Sequence, residues 1–245
     1  GLAAWWILAA GLELYWIGVL FLVSFTATWL LEWLLLTRHV VRPDTRPERD
    51  LFLRLARGAV PFIGLQGVIA VTNSILPLFL SKSHGEVQVG LFNAANQIMA
   101  PVLLVSQSVV VSLFPRLCQK VADGSSALAL TTRRLIELLL GLSLPAVIGL
   151  LFYARFALLL IYDRPIFAIS ALLLQLMAAS LLFRAVTSVL GRALLASGRE
   201  RTLLSILLLE TGACLGLAFA LIPRWGVLGA ALAGLIVTLI DLILH

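Results

Sequence analysis

Charge is scarce in this sequence. Lysine, arginine, aspartate and glutamate make up 12% of its 245 residues, against about 25% in a soluble globular domain. That shortage excludes an ordinary water-facing surface. Metal ligands are equally sparse. The two cysteines, Cys118 and Cys214, have neither disulfide nor zinc spacing, and the three histidines, His39, His84 and His245, stand alone. No GxxxxGK[ST] segment occurs, so ATP is not bound through a Walker loop. No nucleophile–base set is apparent. The expectation is a protein that is not an enzyme and takes no cofactor. The basic residues, although they leave a net charge of +6, do not form one patch interleaved with aromatics, which argues against a nucleic-acid partner. No charged segment followed by a cleavage site marks a signal peptide.

What the chain has in abundance is apolar sequence. Hydrophobic residues reach 61% and mean hydropathy is +1.07. A membrane span needs about 20 apolar residues to cross a hydrocarbon core of about 30 Å, so the partner in bulk is the lipid bilayer. The expected fold class is all-α, a polytopic transmembrane helix bundle of about seven spans. The first span is expected over about Leu14 to Leu36, preceded by another helix end or a loop (Gly1 to Glu13). Trp16, Trp29 and Trp33 near its ends suit interfacial anchors. The segment RHVVRPDTRPERD (Arg38 to Asp50) has two prolines, four arginines and no apolar periodicity, so it is the clearest linker. Further spans are expected over about Gly58–Leu80, Val89–Phe114, Leu135–Tyr153, Phe167–Leu190 and Leu203–Ile222. The turn PRWG (Pro223 to Gly226) then leads to a seventh from Val227. Pro61, Pro77, Pro101 and Pro145 fall inside spans, where membrane helices tolerate them as kinks. Three domains follow: 1–36 as a transmembrane region, 37–57 as a basic cytoplasmic linker and 58–245 as a six-helix transmembrane lobe. Starting at Gly1 and ending inside an apolar run suggests a piece of a longer chain, or alternatively a short chain bounded by membrane helices.

Basic residues test this map. Arg38, Arg42, Arg46, Arg49, Arg54, Arg57, Arg116, Lys120, Arg133, Arg134, Arg192, Arg199 and Arg201 fall on one set of alternate loops and adjoining helix ends. Only Lys82, Arg155, Arg164 and Arg224 fall on the other, and Arg184 lies inside a span. The asymmetry follows the positive-inside rule and places the Arg38–Asp50, Pro115–Arg134 and Arg192–Arg201 segments in the cytoplasm.

Polar residues inside spans are costly unless paired or facing water. Asn93, Asn96, Gln97 and Gln107 fall within about 100° of one another on the third span. Gln66 and Asn73 share a face of the second. Ser180, Arg184, Thr187, Ser188 and Gly191 share a face of the fifth. Three polar stripes suggest a common cavity, with helix-to-helix hydrogen bonding as the plainer alternative. Arg184 is the sharpest candidate, because charge inside a span is rare and usually functional. Glu210 and Asp241 lie deeper in their spans than the other acids and are candidates for a charge pair or ion coupling; Glu210 is expected to pair with Arg184 across a short turn. The spacing Gly212-x-x-x-Gly216 suggests close helix packing.

Several stretches resemble polysaccharide transporters and O-antigen flippases of the multidrug/oligosaccharidyl-lipid/polysaccharide exporter superfamily. VGLFNAANQI (Val89 to Ile98) is similar to a helix opening of that family and LFPRL (Leu113 to Leu117) to its exit. LLASGRERT (Leu194 to Thr202) resembles a late glycine turn, and GVLGAALAGL (Gly226 to Leu235) the entry to the twelfth helix. The resemblance spans roughly Leu51 to Asp241 and implies the C-terminal half of a twelve-helix transporter. Phe92 stands where the family often has Tyr, Asn73 where an acid is frequent, and Asp163-Arg164 where a glycine turn is commoner. The resemblance implies a multi-pass protein of the cytoplasmic membrane that flips a lipid-linked oligosaccharide by alternating access. A cation or drug exporter of the same superfamily, or a membrane-embedded polysaccharide polymerase or glycosyltransferase, are the alternatives.

The basic asymmetry yields a topology test. Single cysteines introduced as Lys82→Cys and Arg199→Cys, with the native cysteines replaced, should be labelled by an impermeant maleimide from opposite sides of the membrane. Labelling from one side only would overturn the span map.

Overall fold

A computed structural model describes residues 15–39, 49–122, 124–162, 166–167 and 170–245. Among them every long element is helical: α1 (Tyr15–His39), α2 (Arg49–His84), α3 (Glu86–Ala122), α4 (Ser125–Tyr162), α5 (Ser170–Ala196) and α6 (Glu200–Leu244). All six are long and apolar enough to cross a membrane. Expectations that rested on Gly1 to Glu13, on Arg42 and Arg46 of the linker, and on the Asp163-Arg164 turn lie outside the described residues.

The chain divides into two compact units, Gly1–Leu55 and Ala56–His245. In the first, α1 is apolar all round. Phe21, Leu22, Phe25 and Leu31 are each more than half exposed, as suits a helix whose solvent is lipid. Trp29 and Trp33 stack one turn apart, ring centroids 6.1 Å from each other.

The second unit holds the core. Ala95, Leu158, Leu173, Leu174, Ala178, Ala218 and Ala230 are fully buried. Alanines at so many core positions let helix backbones approach closely, which is how membrane helices gain packing contacts without a hydrophobic drive between them. Lipid-sized side chains point outward instead: Phe152 is 80% exposed and Ile243 82%.

α6 is one helix in name and two in shape. Forty-five residues would run roughly 68 Å if straight, over twice the hydrocarbon thickness. Pro223 removes one backbone donor, and Gly226 adopts φ 54°, ψ −129°, a conformation open mainly to glycine. The chain turns back there so tightly that a Cβ on Gly229 would collide with the Leu221 carbonyl oxygen. Residues 200–225 and 227–244 are therefore antiparallel arms, and the described residues hold seven helical arms. Gln88 Oε1 accepts a hydrogen bond from the freed Val227 N–H at 3.2 Å, and the His84 ring lies against Gly226.

Other turns obey the same logic. Gly85 ends α2 with φ 79°. After α5, Gly198 takes φ 69°; its N–H donates to Leu195 O and the Arg199 N–H to Leu194 O. This Schellman pairing satisfies the last helical carbonyls and explains the glycine in LLASGRERT. Two expectations change. The Pro115–Arg134 segment is not a loop: α3 runs through Pro115 to Ala122 and α4 starts at Ser125. The helices overrun the apolar stretches because outside the core nothing breaks them until Gly124, at φ 106°. Nor are Gly212 and Gly216 a close-packing pair among the described residues, since a Cβ on either would meet nothing within 4 Å.

These contacts set a stability contrast. Gly229→Ala forces the hairpin backbone apart and should destabilise by about 1–3 kcal/mol, the range for overpacked sites. Gly216→Ala should change stability by less than about 0.5 kcal/mol. Thermal unfolding of the two purified variants checks the difference; equal melting curves would disprove the fold-back.

Candidate functional site

Within the second unit α2, α3, α5 and both arms of α6 surround a cavity of about 230 Å³. Its polar wall consists of Thr72, Asn73, Asn96, Ser180, Arg184 and Glu210. The apolar remainder includes Met99, Met177 and Cys214.

Each polar group arrives by helical periodicity. On α3, Phe92, Asn96, Met99 and Leu103 line the cavity; steps of four, three and four residues keep them within about 60° of one another. Asn93 and Gln97 stand further round the helix and are exposed instead, and neither they nor Gln107 reaches the cavity. On α2 Asn73 lines the wall. Gln66, two turns nearer the start of the helix, shares its face but lies beyond the cavity and is exposed. Of the residues expected to meet in one polar space, the fold brings together Arg184, Asn73, Asn96 and Glu210, and leaves Asn93, Gln97, Gln107 and Gln66 outside it. The wide stripe on α3 narrows because only the part of a helix that faces the bundle can line its interior.

Helix-to-helix hydrogen bonding also occurs, through residues other than those of the three polar stripes. Thr72 Oγ1 and Thr211 Oγ1 lie 2.6 Å apart and join α2 to the first arm of α6. Ser170 Oγ donates to Leu91 O at 3.3 Å, and Gln175 Nε2 to Leu151 O at 2.8 Å. Asn73 and Asn96 make no such bridge and stay available to the cavity.

The electrostatics differ from the expected Arg184–Glu210 pair. Among the described residues, the ion pairs within 4.0 Å are Arg133–Glu137 and His245–Asp241. The first is exposed on both sides and contributes little. Arg184 and Glu210 share the cavity wall and act on each other through space without a direct contact. The hairpin supplies the reason. It brings Asp241 and His245 within electrostatic reach of Glu210, which therefore responds to charges besides Arg184. The Arg184 guanidinium keeps an exposed side chain with its donors free for another anion. His245, read as an isolated histidine in the sequence, thus belongs to a cluster. The only sequence signal for it is positional: Glu210 and Asp241 lie 16 and 15 residues either side of Gly226. Among the described residues no group of three or more His, Cys, Asp or Glu side chains is arranged to hold a metal.

A family model described as "Lipid II flippase MurJ" matches residues 3–245. No curated protein and no solved structure matches the chain.

Access of water to the cavity is directly testable. With Cys118 and Cys214 replaced, Asn73→Cys and Asn96→Cys should react with small water-soluble thiol reagents. Phe152→Cys, on the outer surface, should not, because the reactive thiolate does not form in hydrocarbon. Equal protection of all three would leave the cavity dry and its polar residues purely structural.

Proposed function

Because this chain belongs to the lipid II flippase family MurJ, we propose that it moves a lipid-linked peptidoglycan precursor across the membrane and that Arg184 receives the diphosphate of that precursor. Family membership makes it a multi-pass protein of the inner membrane and a transporter rather than an enzyme. Neither a drug exporter nor a polymerase or glycosyltransferase draws support from that membership.

The observation that carries the reading is one cation in the wall of a polar cavity that no acid among the described residues contacts directly. Moving a diphosphate through about 30 Å of hydrocarbon requires compensation of its charge along the way. A guanidinium offers paired donors in a planar fork that match phosphate oxygens. Asn73 and Asn96 add neutral hydrogen-bond partners in the same wall. Size narrows the role further. Sites for drug-sized ligands occupy about 300–1,000 Å³, and this cavity holds about 230 Å³. That space suits a headgroup fragment such as the diphosphate, with the glycan and the lipid tail lying outside it. Rocking of the helical unit about this point would give alternating access, with the basic helix ends on the cytoplasmic side.

A polysaccharide or O-antigen precursor, the substrate class implied by the resemblance, offers the same diphosphate and differs in its glycan. The family favours the peptidoglycan precursor, and the cavity does not discriminate between the two.

The test is flipping of fluorescent lipid II by the full-length protein in proteoliposomes, at matched protein abundance. Losing a hydrogen bond to a charged group costs about 1.5–3 kcal/mol, so Arg184→Ala should slow flipping by about tenfold to a hundredfold. Arg184→Lys should restore part of it, because lysine keeps the charge and loses the fork. Undiminished flipping by Arg184→Ala would remove Arg184 from the substrate path. Equal flipping of an O-antigen lipid precursor would widen the substrate class.

A further inference from the structure

Headgroup binding leaves one buried polar cluster unused. At the end of the second arm of α6, Asp241 and His245 sit one helical turn apart, with Nδ1 3.0 Å from Asp241 Oδ1 and 3.1 Å from the Asp241 main-chain oxygen. Both side chains are sequestered, the imidazole at 3% exposure and the carboxylate at 13%. Yet His245 Nε2 is buried without a hydrogen-bond partner, and Asp241 Oδ1 has only the His245 ring beside it. Such atoms are costly in a finished core and suit a site that binds something small.

The surroundings specify what. The hairpin places this pair within electrostatic reach of Glu210 in the cavity wall. On the other side Nε2 points at α5, where a Cβ on Gly191 would lie 3.6 Å away. Arg184 lies on that same α5 face, two turns deeper. Cys214, one turn from Glu210, is the remaining titratable group in range. The α2 and α3 walls supply only uncharged polar groups, chiefly Asn73 and Asn96. The cluster therefore counts one guanidinium, two carboxyls and one imidazole. With both acids ionised it is neutral when His245 carries a proton and has one net negative charge when it does not. No metal-ligand grouping occurs among the described residues, and a proton needs only the lone pairs that are already there.

We propose that Glu210, Asp241 and His245 form a one-proton binding site between the basic-rich membrane face and the Arg184 cavity, and that its occupancy controls how strongly the cavity holds an anionic headgroup. The proton adds to the free imidazole nitrogen. The N–H on Nδ1 can then pass to Asp241, which returns the ring to neutrality. Only the proton moves, and no heavy-atom bond forms or breaks. A loaded site removes one negative charge opposite Arg184 and favours the diphosphate; an empty site weakens it. By linkage, headgroup binding must then draw a proton in. This rests on the transport reading above, and it names the coupling ion.

Two measurements on the full-length protein separate the proposal from that reading. The first is a pH difference infrared spectrum of the protein in a detergent free of ester carbonyls. A protonated-carboxyl band should be present in the unaltered protein and lost or shifted in Glu210→Gln and Asp241→Asn; its absence would overturn the proton site whatever the transport result. The second is lipid II flipping in proteoliposomes under an imposed pH gradient. The unaltered protein should respond to the gradient, and His245→Gln, or His245→Asn should the first fold poorly, should lose the response. A response of unchanged size in a folded His245 variant overturns the proposal. A carboxyl band that behaves as expected in a protein that does not flip lipid II would sink the transport reading and leave the proton site standing.

Discussion

The backbone at Gly226 is the constraint on which the charged interior depends. A glycine at φ 54°, ψ −129° following Pro223 turns a 45-residue apolar helix into two arms that each match the bilayer. Without that reversal Glu210 and Asp241 would lie about 46 Å apart along one helix axis. With it they come within electrostatic reach of one another, and the cavity gains two of its walls, because Glu210 and Cys214 come from one arm and Ala230, Gly234 and Val237 from the other. Gln88 fixes the bend from outside by accepting the Val227 N–H, a donor that has no partner within the second arm. The start of α3 is thereby tied to the middle of α6. Any motion of one with respect to the other has to break a hydrogen bond at a site with few alternatives.

Much of this architecture is legible in the amino-acid sequence, for reasons of physical chemistry. Span count and order follow from apolar run lengths, since hydrocarbon leaves a helix no option but to satisfy its own backbone. The PRWG turn follows from proline and glycine. Helix ends do not: Pro115 looks like a terminus, yet α3 continues to Ala122, because beyond the core the helix is limited only by the next glycine able to adopt positive φ. The candidate site is half legible. Arg184, Asn73, Asn96 and Glu210 meet, whereas Asn93, Gln97, Gln107 and Gln66 share polarity and not direction. Periodicity states which residues lie on one face; it does not state which face turns inward. The cluster around His245 requires one further step, reflecting the last span about Gly226.

The distribution of polar bonds also separates two uses of polarity in a membrane. Thr72 Oγ1 and Thr211 Oγ1 lie within hydrogen-bond distance of one another, and each of a carbonyl on its own helix, Val68 O and Leu207 O. Two hydroxyl protons serve these three contacts, so one hydroxyl donates across the helices while the other donates to its own carbonyl, and such bonds hold helices together. Asn73, on the neighbouring position of α2, has an amide too large to be satisfied in that way and lies in the cavity wall. Hydroxyls join helices here, as do the amides of Gln88 and Gln175, while the amides of Asn73 and Asn96 face the open space. The difference is one of capacity: a hydroxyl that donates to the i−4 carbonyl retains only acceptor sites, while an amide keeps two donors and an acceptor for a visitor.

That capacity bears on how a small cavity can serve a large substrate. A flippase must hold the headgroup firmly enough to draw it out of water and loosely enough to release it on the far side. A guanidinium locked to a carboxylate in direct contact would do the first poorly, since each approach of substrate would have to break an ion pair in a medium of low dielectric. A bare guanidinium would do the second poorly. An acid held at a distance from Arg184, with Asp241 and His245 within electrostatic reach, is intermediate. It offsets the cation in the absence of substrate without occupying its donors. If Arg184 receives the diphosphate as proposed, the spacing that departs from the expected Arg184–Glu210 bridge is the arrangement that would let one arginine both accept and release it.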